Sequence, residues 1–195
     1  MAWTARTTAP DVSIKYYRHT GYFVGGVDGV NECLIIDNNT GFVMPNCVGY
    51  SWGRWYEAFD TRPTLSRGDA CLWYDWYLSH PEDTYQRGSV PSVGAIACWD
   101  SAIHPGTGGH VAVVEYFVGG LPVTSNSAYG GTLFWTEALV YNGGVWERGY
   151  NPQDYTWQGF IYPPAGADLN KFYLWLAGQR RFPNGRARIP NNRRF

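Results

Sequence analysis

The sequence predicts an α+β domain, with helices first and an antiparallel meander after them. Three observations carry this. Apolar residues recur at helical spacing from residue 47 to about 60: Val48, Trp52, Trp55/Tyr56 and Phe59. Residues 93–99 and 110–117 are continuous small or apolar runs, the mark of buried strands. Glycine turns separate the later runs, and Gly119-Gly120 reads as the tight turn of a hairpin.

Taken in order, residues 1–30 are rich in Thr, Gly and Tyr with little periodicity, and predict an extended arm. Cys33-Leu34-Ile35-Ile36 reads as a short strand, and Asp37-Asn38-Asn39-Thr40-Gly41 as a turn. Asn46 is a good N-cap for the helix that starts at Cys47; that helix ends near Asp60, and Pro63 prevents its continuation. A second helix is expected over 69–79, with Leu72, Trp73, Trp76 and Tyr77 on one face. Strands are then expected over 93–99, 110–117, 121–127, 133–139 and 156–162, giving an antiparallel sheet of five to six strands. A Gly/Asn/Pro-rich loop precedes the last of them. Pro163-Pro164 closes the fold. The division is therefore one domain over 1–164, then a short helix (169–179) and a basic tail within 165–195.

Composition narrows the class. Of 195 residues, 17% are aromatic, including 10 Trp and 15 Tyr, while 16% are charged, below the usual quarter. Core packing accounts for most of the aromatics, and some suit stacking on sugars or flat groups. The net charge of −1 hides an acidic body and a basic end: seven bases and no acids follow Asp168. The four cysteines are scattered, with neither a CxxC pair nor a histidine at zinc spacing, so no metal site is signalled and a disulfide framework is not expected. There is no signal-peptide pattern and no apolar run long enough to span a membrane. Nothing in the charge pattern calls for nucleic acid.

Cys47 stands out for its place at the start of a helix. There a thiol faces unpaired backbone N–H groups and the positive end of the helix dipole, which favour the thiolate. A cysteine nucleophile also needs a base, and the base needs an orienter. Of the four histidines, His19 lies in the arm and His80 and His104 in loops. His110 opens a strong apolar strand just after Thr107-Gly108-Gly109, where glycines let a substrate backbone approach. Asn126 ends the partner strand of the hairpin and is placed to fix the imidazole tautomer, as in Cys-His-Asn sites. Glu115 is the rival orienter, but its odd offset from His110 puts it on the other face of a regular strand. Asn46 and the Cys47 N–H are candidates for an oxyanion hole, with helix capping the competing role for Asn46. Tyr129 and Trp99 are candidate groove residues, with core packing the competing role for Trp99.

These stretches resemble the CHAP family (cysteine, histidine-dependent amidohydrolases/peptidases). Asn46 to Arg54 resembles its nucleophile motif, and Arg67-Gly68-Asp69-Ala70 with Trp73-Tyr74 its second-helix signature. Pro91 to Trp99 followed by Gly109 to Glu115 is similar to the strand-loop-strand bearing the family's histidine. Thr124 to Gly131 looks like the stretch bearing its third residue, where many members have Glu in place of Asn126, and Gln158 to Tyr162 its closing strand. The resemblance runs over roughly residues 10–163 and is nearest to CHAP domains of phage endolysins. It implies a papain-like (NlpC/P60-like) fold and a Gram-positive peptidoglycan amidase or endopeptidase, with Cys47 as nucleophile, His110 as base and Asn126 as orienter. Some relatives carry a structural calcium, but no clustered Asp/Asn loop is present, so neither metal nor cofactor is expected.

Two settings follow from the resemblance. One is a lysis enzyme, made in the host cytoplasm and released to the wall by a holin, whose basic tail binds anionic wall polymers. The other is a virion-associated tail lysin that opens the wall at infection and docks on other virion proteins through residues 165–195, with Phe172, Tyr173 and Trp175. A non-catalytic wall-binding module is a third class, and the intact Cys/His/Asn set argues against it.

Overall fold

A computed structural model describes residues 3–18, 44–66, 68–129 and 132–164. The expected strand at 33–36, the turn at 37–41, the helix at 169–179 and the basic tail lie outside the described residues. So do His19 and Cys33.

The architecture is mostly sheet with few helices. A short helix α1 (Lys15–Arg18) precedes the long helix α2 (Cys47–Phe59). Among the described residues eight strands follow: β1 (Arg87–Gly88), β2 (Ile96–Ser101), β3 (His110–Val118), β4 (Leu121–Asn126), β5 (Trp135–Ala138), β6 (Val140–Asn142), β7 (Val145–Glu147) and β8 (Tyr155–Ile161). Six of them form one sheet in the order β1-β8-β2-β3-β4-β5, every pair antiparallel, and β6 and β7 make a separate hairpin.

Helix α2 forms where its sequence says it should. The Asn46 side chain accepts from the Gly49 N–H at 2.9 Å, and Asp60 ends the helix in a left-handed conformation (φ 50°). Val48, Trp52 and Trp55 are buried against Ile96, Cys98, Val111 and Val113 of the sheet. Gly53 is required by a close approach: a Cβ there would stand 2.7 Å from the Tyr16 carbonyl oxygen and from the Tyr17 ring. The opposite sheet face buries Ala97, Trp99, Ala112, Val114 and Phe160. The continuous apolar runs of β2 and β3 thus reflect burial on both faces.

Of the two expected N-terminal helices, the one at Cys47 is present and the one at 69–79 is not. Residues 69–79 form two single 3₁₀ turns, Ala70–Leu72 and Trp76–Leu78, instead of a helix. Consecutive aromatics are poor helix formers. In addition, the Cys71 N–H donates to the Gly108 carbonyl at 2.9 Å and the Cys71 carbonyl accepts from Gln158 at 2.9 Å. Both backbone groups are therefore tied to the sheet and its loops. The loop expected before the last strand contains the β6/β7 hairpin, which turns on Gly143 and Gly144.

One buried ion pair joins α2 to the sheet. Glu115 is fully buried on β3 and accepts four hydrogen bonds: Arg54 Nε at 2.9 Å, Arg54 Nη2 at 3.0 Å, Ser125 Oγ at 2.7 Å and the Arg6 N–H at 2.9 Å. Burial opposes the Arg54 charge, yet Glu115 beside it holds the guanidinium above its ordinary range. The Arg54 Nη2 also reaches the Thr4 carbonyl at 2.5 Å, and the guanidinium lies 4.2 Å from the Trp3 ring. Trp3, Thr4 and Arg6 of the N-terminal arm are thus held to the helix and to β3 together. Removing one partner leaves a buried charge unpaired. Glu115→Gln or Arg54→Met is expected to cost about 3–5 kcal/mol in denaturant unfolding at pH 7, far more than a surface substitution.

Candidate active site

Cys47 and His110 line one cleft of about 770 Å³ with Gly109, Tyr129, Trp135 and Tyr155 among its walls. The cysteine is brought there by the first turn of α2, the histidine by the first residue of β3. The two elements meet at the sulfur, because the Val111 N–H points at it along with the N–H groups of Val48 and Cys47 itself. Asn46 holds this corner from behind: its N–H donates to Ser127 Oγ at 3.0 Å, linking the helix start to the end of β4.

His110 Nε2 lies 3.0 Å from Asn126 Oδ1. The amide orientation follows from its other bonds. Asn126 Nδ2 donates to the Thr124 carbonyl at 3.2 Å and to Thr124 Oγ1 at 3.1 Å. Thr124 Oγ1 spends its own proton on the Glu137 carbonyl at 3.3 Å, so it can only accept from Asn126. Oδ1 must therefore face the ring, and Nε2 must carry the imidazole proton. That leaves Nδ1 with a free lone pair, and among the described residues nothing bonds to it. The imidazole is walled by aromatic rings: Trp135 and Tyr155 each lie 6.0 Å away and Trp99 6.2 Å.

The resting electrostatics differ from the expectation of a thiolate. Burial pushes the Cys47 thiol up, and this outweighs the opposing N–H groups and the nearby Arg148 charge. Burial likewise presses the His110 pKa down to about 3, with Arg148 adding to the shift and Asn126 opposing it. At neutral pH the pair is a thiol and a neutral imidazole, not an ion pair.

The other sequence candidates separate cleanly. Tyr129 is 72% exposed and lines the cleft. Trp99 does not line it; its ring is buried in the core and its Nε1 donates to the Trp146 carbonyl at 2.9 Å. The Asn46 side-chain oxygen is occupied as the helix cap, and Asn46 is not part of the cleft wall. Glu115 faces α2 and Arg54 and is not bonded to His110. Gly109 serves packing as well as access: with φ at 78°, a Cβ there would meet the Trp99 carbonyl oxygen at 2.4 Å and the Cys71 nitrogen at 2.9 Å. The sequence reading missed Arg148, Glu137, Trp135 and Tyr155. The signal for their placement was Asn142-Gly143-Gly144 between two short apolar pairs, a hairpin that returns the chain to the cleft.

A family model described as CHAP domain matches residues 36–127. The chain carries a CHAP domain. The CHAP fold is papain-like, and the family implies a hydrolase of the cysteine-dependent amidase or peptidase class. The matched span includes Cys47, His110 and Asn126 and stops short of β5, so the far wall of the cleft lies beyond it. No curated protein matches the chain. Among the described residues, no helix is long and apolar enough to cross a membrane, and no three His, Cys, Asp or Glu side chains gather as a metal site.

A histidine with a folded pKa near 3, against an ordinary value of 6.5, stabilises the fold only while both states are neutral. Stability from this group is complete above pH 6.5 and is lost as the pH falls from there towards 3. Between pH 7 and pH 5 the protein is expected to lose up to about 2 kcal/mol more than His110→Gln does, read from denaturant midpoints of each protein at both pH values.

Proposed function

We propose that the chain is a peptidoglycan hydrolase that cleaves an amide bond of the Gram-positive wall, as an endopeptidase or an N-acetylmuramoyl-L-alanine amidase. Cys47 is the nucleophile, His110 the base and then the acid, and Asn126 the positioning residue. The observation that carries this reading is the 3.0 Å bond from His110 Nε2 to Asn126 Oδ1, with Nδ1 left free in the cleft that Cys47 shares. The CHAP match supplies the reaction class.

The chemistry follows from the protonation states. Because thiol and imidazole both rest neutral, the Cys47 proton passes to His110 Nδ1 as the sulfur attacks the amide carbon. Asn126 Oδ1 holds the Nε2–H throughout, so the imidazolium that forms stays oriented. Charge gathers on the former carbonyl oxygen, and the unpaired N–H groups at the start of α2 are its donors. His110 then gives its proton to the leaving amine. Water, activated by the same imidazole, releases the acyl group and restores the thiol.

The setting we propose is phage-mediated lysis, with residues 1–164 as the catalytic domain and 165–195 as an appended segment. Purified Gram-positive murein tests the enzymatic claim, by clearing in a turbidity assay and by mass analysis of the fragments. Cys47→Ala is expected to abolish clearing, and His110→Ala to slow it by about 10²–10⁴-fold. His80→Ala and His104→Ala, in loops away from the cleft, are expected to clear at the wild-type rate. New amine termini must appear in step with clearing; clearing by Cys47→Ala at the wild-type rate would refute the assignment.

A further inference from the structure

Among the described residues, three arginine–carboxylate pairs have both side chains less than a tenth exposed, Arg54–Glu115, Arg87–Asp83 and Arg148–Glu137, and the last is built differently. Arg87 meets Asp83 through both of its Nη groups. Arg54 and Glu115 are joined by two hydrogen bonds, and all four acceptor positions on Glu115 are used. Arg148 is as buried, at 4% exposed, yet it meets Glu137 through a single bond, Nε to Oε1 at 3.1 Å. Glu137 Oε2 is buried without a hydrogen-bond partner. Among the described residues neither Nη group of Arg148 has a partner. A largely buried guanidinium that uses one of its three nitrogens is a poor brace, since its desolvation is only partly offset.

Its position explains the arrangement better. Arg148 lines the same cleft as Cys47 and His110, and its charge is felt at both. It is held over the Tyr155 ring at 4.5 Å and lies 5.9 Å from the Trp135 ring, the two rings that also flank His110. The β6/β7 hairpin and β5 thus carry a fixed, planar cation to within one side chain of the reacting groups. Two free Nη groups in one plane match the two oxygens of a carboxylate.

We propose that Arg148 forms a carboxylate-binding subsite, so that the cleft takes an anionic peptide whose free carboxylate lies close to the scissile amide. Glu137 holds the guanidinium in place, and Trp135 and Tyr155 form apolar walls beside it. This rests on the hydrolase reading for the identity of the peptide, which is then a stem peptide of the wall. Arg148 and Glu137 act on substrate choice, beside the Cys47-His110-Asn126 chemistry.

The test uses soluble stem peptides released from murein, in their native form and in a copy whose carboxylates are converted to carboxamides with carbodiimide and ammonia. Each is titrated calorimetrically into the Cys47→Ala protein. The native peptides are expected to bind about tenfold or more tightly than the amidated copy. Arg148→Gln alone strands Glu137, so the paired Arg148→Gln/Glu137→Gln change is made in the same background. It is expected to bind both forms equally and weakly. Equal binding of the two forms by the Cys47→Ala protein, including no binding of either, overturns the subsite. So does a carboxylate preference that survives the paired change, since a purely structural role for Arg148 would leave that preference in place. Release of amine termini from murein by the unsubstituted protein is scored separately. Cleavage without carboxylate preference sinks the subsite alone, and carboxylate preference without cleavage supports the subsite and sinks the hydrolase reading.

Discussion

The buried pair between Arg54 and Glu115 is the constraint on which the rest of the structure depends. Arg54 lies two helical turns beyond Cys47 on α2. Glu115 lies on β3, the strand that His110 opens, and its Oε1 accepts from Ser125, the neighbour of Asn126 on β4. One fully satisfied cluster therefore fixes the relative position of the three elements that bear the site. It does so from the sheet face opposite to His110, which keeps the Glu115 charge away from the imidazole. Arg6 and Thr4 extend the cluster to the N-terminal arm, so the arm is part of the same brace.

The electrostatics of the cleft follow from how deeply this arrangement buries its corner. A helix start alone would lower a thiol pKa. Here the sheet end covers the sulfur, aromatic rings cover the imidazole, and desolvation dominates both groups. The reacting pair therefore rests uncharged, and charge separates on it only when a carbonyl is present to be attacked. Asn126 suits such a site, because a neutral amide fixes the tautomer without bringing a charge to His110. Among the described residues Arg148 is the one cation felt at both groups, which is why its unused donors matter.

Much of this was legible in the sequence where short-range rules apply. Asn46 before the Val48/Trp52/Trp55 stripe announced the helix and its cap, and the apolar runs after residues 93 and 110 announced the central strands. The two-residue period of a strand separated Glu115 from His110 and left Asn126 as the partner on the right face. Long-range packing was not legible. The stretch at 69–79 has helical spacing, but Cys71 is claimed by Gly108 and Gln158, residues far along the chain. Trp99 lies opposite His110 on the same sheet face, but its ring is buried in the core beneath the β6/β7 hairpin, where it donates to the Trp146 carbonyl. The thiol's direction of shift depended on a sheet end that no local pattern describes. Arg148 lies beyond any motif that carries the family resemblance, and only the return of a short hairpin brings it to the cleft.

The central claim is that Cys47 is a nucleophile made reactive by the imidazole of His110 and not by a resting thiolate. Alkylation by iodoacetamide, followed by peptide mapping, measures this directly on the folded protein. The account predicts that Cys47 is modified faster than buried Cys71 and Cys98 and that its rate falls about tenfold or more in folded His110→Ala. An equal rate of Cys47 modification with and without His110 would contradict it.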